Sequence, residues 1–135
     1  MPIVVDTGIL YALADADDAW HDRARSWIEE ATELLIVPVS VLPEVTYLLH
    51  TRLGPAAEQS FVDSIAAGEL DLEPLRLDDF GRIREVMRRY PQLGFADASI
   101  VAIDGRLKIR TIATTNRRHF RTVVAKPAAA FQLVP

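Results

Sequence analysis

The chain has 135 residues, half of them hydrophobic and a quarter charged, with a net charge of −4 and no cysteine. That length suits one domain, 1–135, with a real core, and the lack of cysteine excludes disulfides, thiolate zinc sites and a cysteine nucleophile. No apolar run approaches the ~20 residues of a membrane span and no leader pattern follows Val5, so a cytoplasmic setting is expected.

Charge is unevenly spread. Arg82 to Lys126 holds eleven Lys/Arg against three Asp/Glu, while the remainder holds four against sixteen. Such asymmetry is compatible with a polyanion-binding face on an otherwise acidic protein. Two solvated helix faces of opposite sign explain it equally simply.

Ile3-Val4-Val5 reads as a buried parallel strand, apolar on both faces. Asp6 follows at its carboxyl end, where open α/β sheets bind ligands; the alternative is that Asp6 or Thr7 only caps the next helix. Thr7 to Ala14 reads as that helix. A second, from about Ala19 to Ala31, carries Trp20, Ala24, Trp27, Ile28 and Ala31 on one face, which makes both tryptophans core or interface residues. Leu34 to Val37 is a second strand, so its crossover from the first is parallel. The next helix takes Ser40 as N-cap, tolerates Pro43 in its first turn and places Glu44 among Leu42, Val45, Leu48 and Leu49. An unpaired carboxylate buried there costs several kcal/mol; the alternative is that Glu44 points outward.

Gly54-Pro55 separates this helix from one over Ala56 to Ala67, with Phe61, Val62 and Ile65 inward. Leu70 to Leu75 alternates and ends near Pro74, as an edge strand does. Asp78 is expected to cap a helix over Asp79 to Tyr90, whose buried stripe is Phe80, Ile83, Val86, Met87 and Tyr90. A small, apolar and therefore buried helix opens near Leu93 and ends at Asp104-Gly105, with Asp97 in its first turn. Arg110 to Thr114 is a fourth strand, Thr115 to Phe120 a polar turn, and Phe131 to Val134 a last strand.

Asp6, Glu44, Asp97 and Asn116 thus stand at element ends that α/β crossovers bring to one sheet edge. Carboxylates gathered in one cleft repel one another and call for a cation. Hard oxygen donors without Cys or clustered His select Mg2+ or Mn2+. Such ions suit hydrolysis of a phosphodiester.

Four stretches, in this order, resemble the PIN domain, and in particular the VapC toxins of bacterial toxin–antitoxin pairs: Ile3 to Thr7, Ser40 to Val45, Gly94 to Ala102 and Ile112 to Phe120. The resemblance implies a three-layer α/β/α sandwich around a mostly parallel sheet of four to five short strands. It implies a Mg2+- or Mn2+-dependent endoribonuclease that cuts tRNA or rRNA, with Asp6, Glu44 and Asp97 as acidic metal ligands. Thr7, Thr114 and Asn116 support the site. The family often has a further Asp where Asn116 stands, so a second metal ion is in question. Arg117, Arg118 and Arg121, with Arg88 or Arg89, are candidates for holding the RNA backbone. For His119, packing or surface is favoured over RNA contact. The implied partners are a small VapB-type antitoxin and a second copy of the chain, in a homodimer or a larger complex with the antitoxin. Two other readings remain: a PIN-fold RNA-binding or scaffold module with weakened catalysis, and a phosphatase using Asp6 as nucleophile. The second wants an Asp where Gly8 stands.

Overall fold

The computed structural model describes residues 2–125 and 129–135. Its strands are β1 (Ile3–Val5), β2 (Leu35–Pro38), β3 (Asp71–Glu73), β4 (Thr111–Ala113), β5 (Val124–Ala125), β6 (Ala129–Ala130) and β7 (Gln132–Val134). Five of them form one parallel sheet in the order β3-β2-β1-β4-β7, and β5 and β6 pair separately as a short antiparallel ribbon. Helices α1 (Thr7–Ala14) and α2 (His21–Glu30) cross from β1 to β2. Helices α3 (Leu42–Leu53) and α4 (Pro55–Ala66) cross to β3, α5 (Asp79–Arg89) and α6 (Phe95–Leu107) to β4, and α7 (Arg117–Phe120) follows β4. This is the three-layer α/β/α arrangement expected from the sequence. No helix among the described residues is long and apolar enough to cross a membrane.

β1 is central because it has nothing to offer water. Ile3, Val4 and Val5 are all buried, as a strand covered on both faces requires. From β1 the chain steps outward through β2 to β3, then returns to the other side of β1 as β4 and ends at β7. The order therefore reverses between β1 and β4, and a parallel sheet opens a crevice at the carboxyl ends of its strands at such a point. Asp6 leaves β1 there, its N–H donating to the Ala113 carbonyl at 2.9 Å.

Several local expectations are revised. Ser40 does not cap α3. It lies in a 3-10 turn over Val39–Val41, and its hydroxyl sits 2.6 Å from that of Ser99 on α6. Asp78 makes no side-chain cap either. The side-chain contacts at this helix start belong to Asp79, which accepts the Arg76 N–H at 2.8 Å and both Nε and Nη2 of Arg106 at 2.9 and 3.1 Å. Burial alone would raise the Asp79 carboxyl, but the Arg106 bonds, the Arg76 N–H and the nearby positive charge hold it below its ordinary value. The stripe on α5 has the right period: Ile83 and Val86 are buried and Tyr90 packs part-buried against the core, while Phe80 and Met87 stand exposed. Phe80 pairs instead with Phe95, their ring centroids 6.0 Å apart. Val62 on α4 is also exposed, because α4 packs mainly on α3 and buries no residue fully.

Helix α6 continues through Asp104-Gly105 and closes on Lys108, whose φ of 58° places it in the left-handed region. Packing of a buried helix overrides the modest helix penalty of one glycine. As a result Asp104 is fully buried, and among the described residues neither carboxylate oxygen is hydrogen-bonded. Burial pushes its pKa well above the ordinary carboxylate range. The folded state therefore disfavours the ionised form, and its cost grows as pH rises above about 4, where the unfolded carboxyl ionises. Asp104→Asn is expected to match the wild type in urea unfolding at pH 4 and to be more stable by roughly 1–3 kcal/mol at pH 8. A stability difference that does not change with pH would contradict this account.

Candidate functional site

A cleft of about 800 Å³ opens at the switch between β1 and β4. It is lined by Asp6, Thr7, Gly8 and Tyr11 from the β1–α1 junction, Glu44, Leu48 and Arg52 from α3, Asp97 from α6, and Thr115, Asn116 and His119 around α7. The sequence-predicted acids thus share one cavity, with Asp18 as a fourth acid on its wall.

Asp6 is the buried member. Its Oδ1 accepts the Thr7 N–H at 2.7 Å, so it does cap α1, and its Oδ2 accepts the Thr114 hydroxyl at 2.9 Å. The cap and cleft readings of Asp6 are therefore both correct. Thr114 is fully buried, and its Oγ1 in turn accepts the Asn116 N–H at 2.9 Å. The support runs from a backbone amide through a hydroxyl to the carboxylate. Burial is the main cause that raises the Asp6 carboxyl from 3.8 to about 6; the charges of Asp97 and Glu44 add to it, and the Thr114 and Thr7 hydrogen bonds oppose it.

Glu44 sits in the first turn of α3 and is exposed, not sunk among the leucines around it. The helix starts only at Leu42, which turns Glu44 toward the cleft. Asp97 is part-buried in the first turn of α6, and its Oδ2 lies 2.8 Å from His119 Nδ1. A carboxylate only accepts, so Nδ1 carries the proton in this contact. His119 is thus a site residue, contrary to the packing or surface placement favoured from sequence. Asn116 is exposed, with its Nδ2 3.3 Å from Nε2 of His119, the nitrogen left to accept. Thr7 supports Asp6 through its backbone, while its buried hydroxyl lacks a hydrogen-bond partner. Gly8 lets this corner close: a Cβ there would overlap the Thr115 hydroxyl.

The basic candidates divide. Arg117 donates to the Pro135 carbonyl, and Arg118 and Arg121 are exposed but none of the three lines the cleft. Arg52, unassigned from sequence, does line it. Its signal was present: Glu44, Leu48 and Arg52 recur every four residues and so share one helix face.

The donor chemistry fits a hard divalent cation. The acids are all oxygen ligands, the charges of Asp97 and Glu44 raise the Asp6 carboxyl, and a buried Thr7 hydroxyl without a partner among the described residues lies on the cleft wall. Among the described residues, no three Asp, Glu, His or Cys side chains yet converge as an enclosing set.

The chain belongs to the PIN domain family, whose match spans residues 3–126. A relative from Mycobacterium tuberculosis, Ribonuclease VapC26, is 29% identical over 135 residues, covering 98% of this chain and 100% of that protein. The crystal structure of M. tuberculosis VapC20, described as a Sarcin-Ricin loop cleaving toxin, superposes with a TM-score of 0.76 at 25% identity over 82% of this chain and 86% of that one. VapBC2 from Rickettsia felis, solved bound to a DNA fragment from its promoter, shares the fold with a TM-score of 0.69 at 17% identity, covering 98% and 97%.

The raised Asp6 carboxyl makes a stability prediction. The folded state favours the protonated form, so stability present below pH 4 is lost as pH rises through about 6. In EDTA, Asp6→Asn is expected to equal the wild type at pH 4. At pH 7.5 it should be more stable by about 3 kcal/mol, the free energy of moving the carboxyl from 3.8 to about 6. Chemical denaturation at the two pH values measures it, and a variant less stable at pH 7.5 would refute it.

Proposed function

We propose that this chain is a Mg2+- or Mn2+-dependent endoribonuclease of the VapC toxin type. It cuts structured RNA, of the tRNA or rRNA class, and so stops translation and growth. The observation that carries this reading is that Asp6, Glu44 and Asp97 all line one cleft at the switch point of the sheet. The family match and the ribonuclease relative support it.

Asp6, Glu44 and Asp97 would hold the cation. When bound, it supplies neutralisation of phosphate charge and a water acidic enough to attack at neutral pH. The chain's own groups do the rest. Thr114 and the Thr7 N–H fix the orientation of the Asp6 carboxylate. His119 holds Asp97 by its Oδ2 and is positioned to release it. Asn116 keeps an oxygen at the fourth position without a charge, which favours one cation over two.

The partners proposed are a VapB-type antitoxin and a second copy of the chain. An apolar groove of about 520 Å³, lined by Leu10, Leu13, Ile28, Leu35, Phe61 and Leu70 among others, suits an amphipathic antitoxin helix. Solved relatives that are toxin–antitoxin complexes support this choice.

The test is cleavage of structured RNA with Mg2+ or Mn2+, with product ends analysed. Wild type should leave 5′-phosphates. Asp6→Ala and Asp97→Ala should each lose roughly a hundredfold or more in rate, the scale of removing a charge-stabilising group. Equal activity in all three proteins would remove the proposed site. RNA binding without cleavage in any of them would favour the scaffold reading.

A further inference from the structure

We propose that Arg52 grips a phosphate of the RNA strand alongside the acidic cleft, next to the scissile one. The inference rests on the nuclease reading and adds to it a substrate-positioning residue.

Helix α3 repeats every 3.6 residues, so Glu44, Leu48 and Arg52 form one row, and all three line the cleft. Eight residues carry the row ~12 Å along the helix axis, which places Arg52 at one end of the cleft and Glu44 nearer the acids. The other charged groups on the wall are Asp6, Asp18, Glu44 and Asp97, with His119 beside Asp97. A polyanion entering such a cleft meets repulsion everywhere except at a cation. Among the lining residues Arg52 is the one with a permanent positive charge.

Its guanidinium is also held in place. It lies 5.2 Å from the centroid of the Tyr11 ring, in cation–π range. That ring is buried, and its hydroxyl donates to Asp15 Oδ2 at 2.5 Å, so the floor under the guanidinium is itself fixed. Among the described residues Arg52 enters no direct salt bridge. A guanidinium held against a fixed Tyr11 side chain has less side-chain entropy to lose on binding, and its fork of five N–H donors leaves several for a phosphate. Arg117, by contrast, is engaged by the Pro135 carbonyl, and Arg89 lies over Tyr90 away from the cleft lining.

The experiment measures binding of a fluorescein-labelled RNA stem-loop to the full chain in EDTA over a range of salt. Wild type, Arg52→Gln and Arg52→Lys are compared, with thermal melts of each. One lost phosphate contact should flatten the log Kobs against log salt slope of Arg52→Gln by about 0.7–0.9. Its binding at ~0.1 M salt should weaken roughly fivefold. Arg52→Lys should keep the slope, since the charge remains, while losing part of the affinity with the bidentate geometry. With Mg2+ added, the loss in Arg52→Gln should fall on KM more than on kcat. Arg52→Met, which keeps the stem over Tyr11, replaces Arg52→Gln if that variant melts below the assay temperature. An unchanged slope and affinity, with wild type still cleaving RNA, overturns the inference alone and leaves Arg52 a partner of Tyr11 and Asp15 only. A wild type that neither binds nor cleaves RNA overturns the nuclease reading and this inference together.

Discussion

The hydrogen bond from the Thr114 hydroxyl to Asp6 Oδ2 joins residues 108 positions apart. It spans the ends of β1 and β4, the pair of strands between which the sheet order reverses. A carboxylate buried at that point needs donors, and the backbone alone supplies one, the Thr7 N–H. Thr114 supplies the other and is itself held by the Asn116 amide. The cleft exists because β1 and β4 part there, and the acid is tolerated because this small network meets it. Every other site group is placed relative to it.

Electrostatics in the cleft is deliberately unbalanced. Burial and neighbouring carboxylates lift Asp6 to about 6, so the acids resist sharing the space as anions. That resistance costs folding free energy, which is recovered when positive charge arrives. A cation, a basic side chain of a partner, or both can supply it. His119 against Asp97 and Arg52 against Tyr11 are the N–H donors the chain itself brings near, and of these Arg52 carries a permanent charge. The first touches an acid directly; the second is parked on an aromatic ring beside the acids. The same cleft therefore suits a polyanionic substrate only where charge has been placed to meet it.

Outside the cleft, the fold uses polar contacts as ties between layers. Arg106 on α6 clamps Asp79 on α5, and Ser99 on α6 meets Ser40 before α3. These contacts fix α6, and with it Asp97, against the two neighbouring crossovers. Asp104 on the same helix is the exception, buried without a partner. Its position is set by the apolar packing of Ile100, Val101 and Ile103 around it, which α6 cannot satisfy while exposing one carboxylate in that turn.

The strands and their parallel order were legible in the sequence, because β1, β2 and β4 are short apolar runs separated by helical periodicity, and buried parallel strands need no alternation. The acids at strand and helix ends were legible for the same reason: their chain positions follow from where elements stop. What sequence could not decide was direction. A stripe on α5 predicts a buried face but not how far α6 extends along it, so Phe80 and Met87 came out exposed. Ser40 has good capping chemistry, yet Ser99 on α6 offered a competing partner, and beside Asp78 it is Asp79 that meets the Arg76 N–H and Arg106. Glu44 is a first-turn acid in any reading; only the packing of α3 beside the β1–α1 junction decides that it lines the cleft. His119 and Arg52 entered the site through tertiary placement. The local chemistry of each residue is written in the chain, while its orientation depends on which distant surface reaches it first.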